Sequence, residues 1–252
     1  VCGAYRQKYN SQVQFFTKWV PEPGPITKEI TRAAVDRARQ RMNSDTIDLL
    51  QFHAWNYDDP SWLDGLFYLQ ELKQEGLIRQ IGVTNFDTAH LRVALFSGIE
   101  IATNQVCFSL LDQRAAGAMT QLCLETGVKL LAFGTLAGGF LSERWLNRPE
   151  PVLNDSLTWS QMKYKRFIDA AGGWARYQQL LTGLHQLARQ KKISIAKLAT
   201  RYQAEQPAVG AVIIGARLGQ SSHIEETTQL FDFDLTTEDR QIIQSLLKNL
   251  QP

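Results

Sequence analysis

The chain has 252 residues, 44% of them hydrophobic, with 27 basic and 25 acidic residues and a formal net charge of +2. That length carries a sizeable core and suits one α/β barrel-type domain spanning 1–252. The mixed charges give no basic stripe for nucleic acid and no membrane-surface patch, and no apolar run approaches the ~20 residues that cross a bilayer.

Three widely spaced cysteines, Cys2, Cys107 and Cys123, read as free thiols in a reducing, cytoplasmic setting. No signal peptide is visible. The sequence opens VCGAYRQKYN, without Met, which reads as a processed N-terminus or as a piece of a longer chain.

Six apolar runs of strand length follow in order: Gln12 to Trp19, Ile47 to His53, Ile78 to Asn85, Ile101 to Phe108, Val128 to Gly134 and Val209 to Gly215. Helical spacing fills the intervals at Thr27 to Met42, Ser61 to Glu75, Thr88 to Phe96, Arg114 to Thr126 and Ile195 to Gln203. Unalternating apolar strands predict burial on both faces, as in a parallel sheet. Strand and helix alternate without a break, which predicts an α/β fold. Six βα units fall short of the eight that close a (β/α)₈ TIM barrel. At roughly 31 residues per unit, the shortfall is about 60 residues. The expectation is therefore an incomplete barrel lacking its first two strands. An open doubly wound sheet is the competing reading, although no strand is followed by GxGxxG at the head of a helix.

In a barrel of this kind the C-terminal strand ends converge on one site. Those ends carry Lys18, His53, Thr84 with Asn85, and, in the fourth strand, Asn104 with Gln105. Each alone has a plain explanation: a first solvated lysine, a structural histidine, a turn asparagine. Together at one end of successive strands they are candidates for a site. Trp19 and Trp55, just past Lys18 and His53, either line a substrate pocket or only pack. Residues 143–179 form a long polar insertion with Trp145, Trp159 and Trp174, read as a lid or as a surface excursion anchored by its aromatic residues. Ser222 to Glu225 fits a capping box, predicting a helix N-terminus there. No metal-ligand cluster is present.

The segments FFTKWV, DLLQFH, IGVTNF, TNQVCFSLLD, LLAFGTLAGGFL and VIIGARLGQSSHIEET resemble, in order, the motifs of the aldo-keto reductase superfamily. The resemblance implies a TIM barrel that reduces aldehyde or ketone carbonyls of small molecules with a nicotinamide cofactor, usually NADPH. It implies Lys18 and His53 as two members of an Asp, Tyr, Lys, His catalytic tetrad. Thr84, Asn85 and Gln105 match residues that hold the nicotinamide carboxamide, and Phe133 matches a ring on the nicotinamide face. Gly134, Thr135, Leu136 and Gly138, with Gly215, match loops near the cofactor phosphates, and Arg217 is suited to a ribose 2′-phosphate. His223, Glu226 and Thr227 occupy the adenosine-clamp positions, two of them departing from the family's commonest types.

The family's Asp and Tyr come from an FDTAxxY-like motif that this sequence does not contain. Tyr5 and Tyr9, 13 and 9 residues before Lys18, belong to a following helix instead of a strand end. Two readings therefore stand: an NADPH-dependent carbonyl reductase whose acid lies upstream, or an inactive nucleotide-binding or regulatory module of the same descent. The sequence leaves substrate and oligomeric state open.

Overall fold

In a computed structural model, residues 2–9, 13–152, 157–215 and 223–250 are described. Their contacts divide into two compact units, Val1–Val106 with Ala118–Leu130, and Cys107–Gly117 with Leu131–Pro252.

The first unit holds α1 (Cys2–Tyr9), β1 (Phe16–Trp19), α2 (Lys28–Met42), β2 (Ile47–Phe52), α3 (Ser61–Gln74), β3 (Ile78–Thr84), α4 (Thr88–Phe96), most of β4 (Ile101–Cys107), α5 (Ala118–Thr126) and the start of β5 (Lys129–Phe133). β1 to β4 pair in parallel, each with its successor. β2 is buried along its whole length, as its unalternating IDLLQF predicts, because helices and neighbouring strands leave neither face to water. Within it Asp48 is the one acidic side chain, and it accepts from the Phe15 N–H at 3.0 Å while pairing with Arg6 and Arg79. A buried carboxylate held this way costs far less than an unpaired one.

Two of the flanking helices, α2 and α4, start at a side-chain cap. Thr27 accepts from the Ile30 N–H and Asp87 accepts from the His90 N–H, and such caps contribute about 1 kcal/mol. α2 ends at Asn43, whose left-handed backbone (φ 48°) suits asparagine. α3 buries Trp62, Leu66, Leu69 and Leu72, the i, i+4, i+7, i+10 face.

The second unit holds the end of β5, α6 (Trp159–Ala170), α7 (Gly173–Lys191), α8 (Ile195–Ala204), β6 (Val209–Ile213), α9 (Ile224–Thr228) and α10 (Thr237–Lys248). Its core centres on Phe140, Tyr177, Leu181, Leu184, Leu198 and Ile243. Capping boxes open α6 at Thr158 and Gln161, and α10 at Thr236 and Asp239. The buried Tyr177 hydroxyl donates to the Phe140 carbonyl at 2.6 Å, so its burial leaves no unpaired donor.

The six strands lie in the sheet in chain order, β1 to β6. A doubly wound sheet reverses its strand order midway, and this order does not. No described helix is long and apolar enough to cross a membrane.

Several boundaries differ from the sequence expectation. The first strand is Phe16–Trp19, shorter than predicted, and Gln12 lies outside the described residues. Residues from Arg114 do not extend a helix: Ser109 and Asp112 exchange backbone hydrogen bonds at 3.1 Å in a tight turn, and α5 begins only at Ala118. β6 is not buried on both faces, because it stands last in the sheet order and its Ile213 is exposed. The 143–179 insertion contains α6 and the first turns of α7. Its polar residues tie down its apolar ones: Trp145 and Trp174 pack on Phe140, Trp174 Nε1 donates to the Arg148 carbonyl at 3.0 Å, and Gln178 Nε2 donates to the Trp145 carbonyl at 2.9 Å. Trp159 is exposed. Ser222, the proposed cap, lies outside the described residues, and the helix after it is the five-residue α9.

Candidate functional site

Alternation along a strand places every second side chain on one face. In the first unit that rule, with the observed register, puts two rows of polar residues on a single sheet face. Lys18 pairs with Gln51, Gln51 with Gly82 and Gly82 with Thr103. One level further along, His53 follows Phe52, which pairs with Val83, so it stands opposite Thr84; Thr84 in turn pairs with Gln105. The upper row is thus His53, Thr84 and Gln105, and the lower row begins at Lys18.

The backbone carries this order past the ends of the strands. The His53 N–H donates to the Trp19 carbonyl at 2.9 Å, and the Asn85 N–H donates to the Gln105 carbonyl at 2.9 Å. Asn85 has a left-handed backbone, φ 56°, a conformation asparagine tolerates better than most residues. That turn brings its amide nitrogen to 3.4 Å from His53 Nε2. Asn104, by contrast, points to the other face: it is fully buried, and its amide donates to the Phe86 carbonyl at 3.0 Å. Asn104 therefore packs the scaffold, and Gln105 is the member of the pair that joins the row.

Electrostatics in the row follow from partial loss of water. Burial lowers the Lys18 ammonium below its ordinary value. Burial, and then the Lys18 charge, lowers the His53 imidazole, so its neutral form is favoured at pH 7. Lys18 is exposed to solvent and has no hydrogen-bond or ion-pair partner among the described residues. Thr84 is buried and its hydroxyl also lacks a partner, as do the Gln51 and Thr103 side-chain oxygens. Buried polar atoms rarely stay unpaired without a functional or solvent reason.

Trp55 is 76% exposed and stacks on His53, with ring centroids 5.3 Å apart and planes at 27°. Trp19 packs its ring edge on Phe52 at 5.5 Å. Trp55 thus borders the site, whereas Trp19 is partly absorbed in packing. Tyr5 and Tyr9 lie on α1 and contact each other at 4.7 Å. Tyr57, in the loop after β2, stacks on His90 at 3.5 Å and meets Phe86 and Trp62, and burial raises its phenol well above the ordinary value. No tyrosine hydroxyl bonds to Lys18 or His53 among the described residues.

The second unit contains the other predicted residues. Gly134 and Gly138 both have left-handed backbones, φ 72° and 65°. Tyr164 of α6 closes over both: a Cβ added at Gly134 would lie 2.2 Å from its hydroxyl, and one at Gly138 would lie 2.8 Å from its ring. Thr135 is buried and Leu136 half-buried between them. Phe133 is half-buried, and its carbonyl accepts from the Phe108 N–H at 3.1 Å. Lys163 Nζ stands 5.0 Å from the Phe133 ring centroid, a cation–π contact. Cys107, beneath this loop, is pushed up to about 12 by burial and by Asp112, so it is a packed thiol and not a nucleophile.

Gly215 has open space around its Cα, and Arg217 lies outside the described residues. Glu226 accepts from the Ser194 hydroxyl at the start of α8 and sits 3.6 Å from His223 Nδ1. Both clamp candidates are thus exposed or half-exposed, with Glu226 already engaged in capping. Sequence reasoning missed Tyr164 and Lys163, for which a lone helix pattern gives no signal. It also missed Gln51, which period-two spacing could have found two residues before His53.

A parallel α/β sheet with a lysine and a neutral-leaning histidine at adjacent strand ends defines a class of barrel-type proteins with a polar site at the carboxyl edge. The model of the aldo/keto reductase family matches residues 2–248. The chain is 26% identical over 248 residues to flagellar radial spoke protein 5 of Chlamydomonas reinhardtii, covering 81% of this chain and 47% of that one. It is 25% identical over 248 residues to prostaglandin F synthase 1 of Bos taurus, covering 90% of this chain and 67% of that one. The solved holo structure of aldo-keto reductase AKR11C1 from Bacillus halodurans matches with a TM-score of 0.76 at 27% identity, over 100% of this chain and 77% of that one. The chain spans about half the length of the first relative and two thirds of the second. It belongs to the aldo/keto reductase family.

Proposed function

We propose that this chain carries the cofactor and carbonyl-orienting part of an NADPH-dependent oxidoreductase that reduces small aldehydes or ketones to alcohols. The observation that carries this reading is the shared face of Lys18, His53, Thr84 and Gln105, with Asn85 turned onto the histidine.

The residues present fit a nicotinamide cofactor on one structural test. A carboxamide needs a donor and an acceptor, and Thr84 presents beside Gln105 a buried hydroxyl with no partner among the described residues. In the first unit Thr84, Asn85 and Gln105 would hold the carboxamide; in the second unit Phe133 is a ring suited to a nicotinamide face. Gly134, Thr135, Leu136, Gly138 and Gly215 would offer backbone to the phosphates, with Arg217, His223 and Glu226 toward the adenosine. When bound, the dinucleotide supplies the hydride.

The protein's own contribution is electrostatic. Negative charge develops on a carbonyl oxygen as it is reduced, and fixed donors stabilise it. Neutral His53 is suited to donate one hydrogen bond and orient that oxygen. The Lys18 ammonium favours the ionised form of any adjacent phenol, whose ordinary pKa near ~10 makes it a weak acid at pH 7. Trp55 would border the substrate.

The second reading, a nucleotide-binding module without turnover, is favoured by one observation: no tyrosine hydroxyl or carboxylate contacts Lys18 among the described residues. We therefore expect this 252-residue chain to bind NADPH while turning carbonyls over slowly or not at all. Quenching of tryptophan fluorescence by NADPH and NADH, with NADPH consumption over a panel of aldehydes and ketones, tests both parts. A folded chain that binds neither dinucleotide would sink the cofactor reading. Rapid turnover abolished by Tyr5→Phe or Tyr9→Phe would overturn the account of the acid.

A further inference from the structure

We infer that Asn85 is the positioning residue that sets where the neutral His53 ring carries its proton. In the ligand-free chain its amide holds Nε2 as an acceptor and so leaves the proton on Nδ1. Drawing that amide away frees Nε2 to donate. This rests on the reading of Thr84, Asn85 and Gln105 as the group that holds a carboxamide, and extends it to the histidine.

The contact is present in the structure. Asn85 Nδ2 lies 3.4 Å from His53 Nε2, a long hydrogen bond, and no other hydrogen bond reaches the ring among the described residues. An amide nitrogen only donates, so the ring nitrogen facing it must accept. A neutral imidazole that accepts at Nε2 bears its hydrogen on Nδ1. Burial first, and the Lys18 charge second, favour that neutral ring.

Both partners are fixed from their backbones. The His53 N–H donates to the Trp19 carbonyl and the Asn85 N–H to the Gln105 carbonyl, each at 2.9 Å, so neighbouring strands set the two positions. Trp55 covers one face of the ring, with centroids 5.3 Å apart and planes at 27°, which limits its rotation. Asn85 is exposed and His53 half-buried, so a ligand can reach the amide. An Nδ1–H ring cannot donate through Nε2. The ligand-free site therefore shows its histidine to Asn85 as an acceptor, and the donor form needs the amide engaged elsewhere. A carboxamide beside Thr84 and Gln105, paired residues of the same row, offers the amide a competing acceptor.

The test reads the His53 tautomer and needs no turnover. The chain, labelled with nitrogen-15 histidine, is studied by long-range nitrogen–proton correlation at about pH 8, above the ordinary imidazole value near ~6.5. His53→Gln assigns the signal. Wild type is expected to hold His53 mainly as Nδ1–H. Asn85→Gly keeps the left-handed backbone and removes the amide, and Asn85→Asp leaves only acceptors at the same length. Both are expected to turn the majority to Nε2–H, the form an unconstrained imidazole prefers in water. His90, whose Nδ1 lies 2.8 Å from Asp87 Oδ1, is expected to stay Nδ1–H throughout. Saturating NADPH, its binding checked by tryptophan quenching, is expected to move wild-type His53 toward Nε2–H. Should one Asn85 variant not fold, the other decides together with the wild-type tautomer. A wild-type ring that is mainly Nε2–H, folded variants that keep Nδ1–H, or an equal change at His90 would overturn the assignment. Bound NADPH without a change at His53 would overturn the release. Absence of NADPH binding would sink the cofactor reading and the release with it, while the free chain still decides the role of Asn85.

Discussion

Lys18 and His53 stand on neighbouring strands one level apart on the same face, and the ammonium of the first depresses the protonation of the second. The backbone fixes this relation, because the His53 N–H is bonded to the carbonyl of Trp19, the residue after Lys18. Neither side chain needs to be held by the other. The strand register places them both.

The first prediction concerns His53 titration. Its folded value is lowered by burial first and by Lys18 second. Between that lowered value and the ordinary value near ~6.5, the unfolded chain binds more protons, so stability rises with pH across this window and falls on acidification through it. Proton NMR titration of the imidazole is expected to show a midpoint below the ordinary one. Lys18→Met is expected to recover only the smaller part of the shift, since burial persists. A full return to the ordinary value would show that charge, not burial, dominates.

The second concerns the unpaired hydroxyl of Thr84. Thr84→Val keeps the shape and removes a buried group with no partner, so the ligand-free chain should be unchanged or more stable by up to about 1 kcal/mol. NADPH affinity should instead fall several-fold if the hydroxyl meets the carboxamide. Urea unfolding and cofactor titration of the same variant read the two effects. Lower stability with unchanged affinity would assign Thr84 to the scaffold.

Gly134→Ala places a Cβ 2.2 Å from the Tyr164 hydroxyl on a backbone with φ 72°. Both the clash and the left-handed backbone act against it, and a loss of about 2 kcal/mol or more is expected. Adding Tyr164→Leu should recover the steric part and leave the backbone part. A double variant no better than the single one would mean the loop, not the tyrosine, resists the change.

Gly82→Ala is sterically opposed in extended backbone, where its Cβ would meet Thr103 Oγ1 at 2.3 Å. Overpacking of this kind costs about 1–3 kcal/mol, and Thr103→Ala in the same chain should relieve most of it. Thermal unfolding of the four-member cycle measures the coupling. Additive losses would separate the two residues.

Much of the candidate site was legible in the sequence alone. A histidine closing an apolar run, a lysine closing another and a Thr-Asn pair closing a third mark strand ends, and period-two alternation predicts which neighbours share their face. Gln105 and Asn104 show where that legibility stops, since sequence offers both and only register chooses Gln105. The helices of 143–179 were hidden because their apolar residues are mostly aromatic and spaced around short polar stretches, which reads as a loop. Tyr164 over Gly134 was not readable at all, because a contact across about 30 residues depends on how α6 folds back.

By itself the sequence determined the alternation of strand and helix, the polar residues at the strand ends and the family whose motifs it follows, because each is written in local spacing. Only the tertiary structure decided which polar atoms are buried without partners among the described residues. Those properties belong to rows that cross strands, and a row exists only once parallel pairing has fixed the register of residues about 30 positions apart.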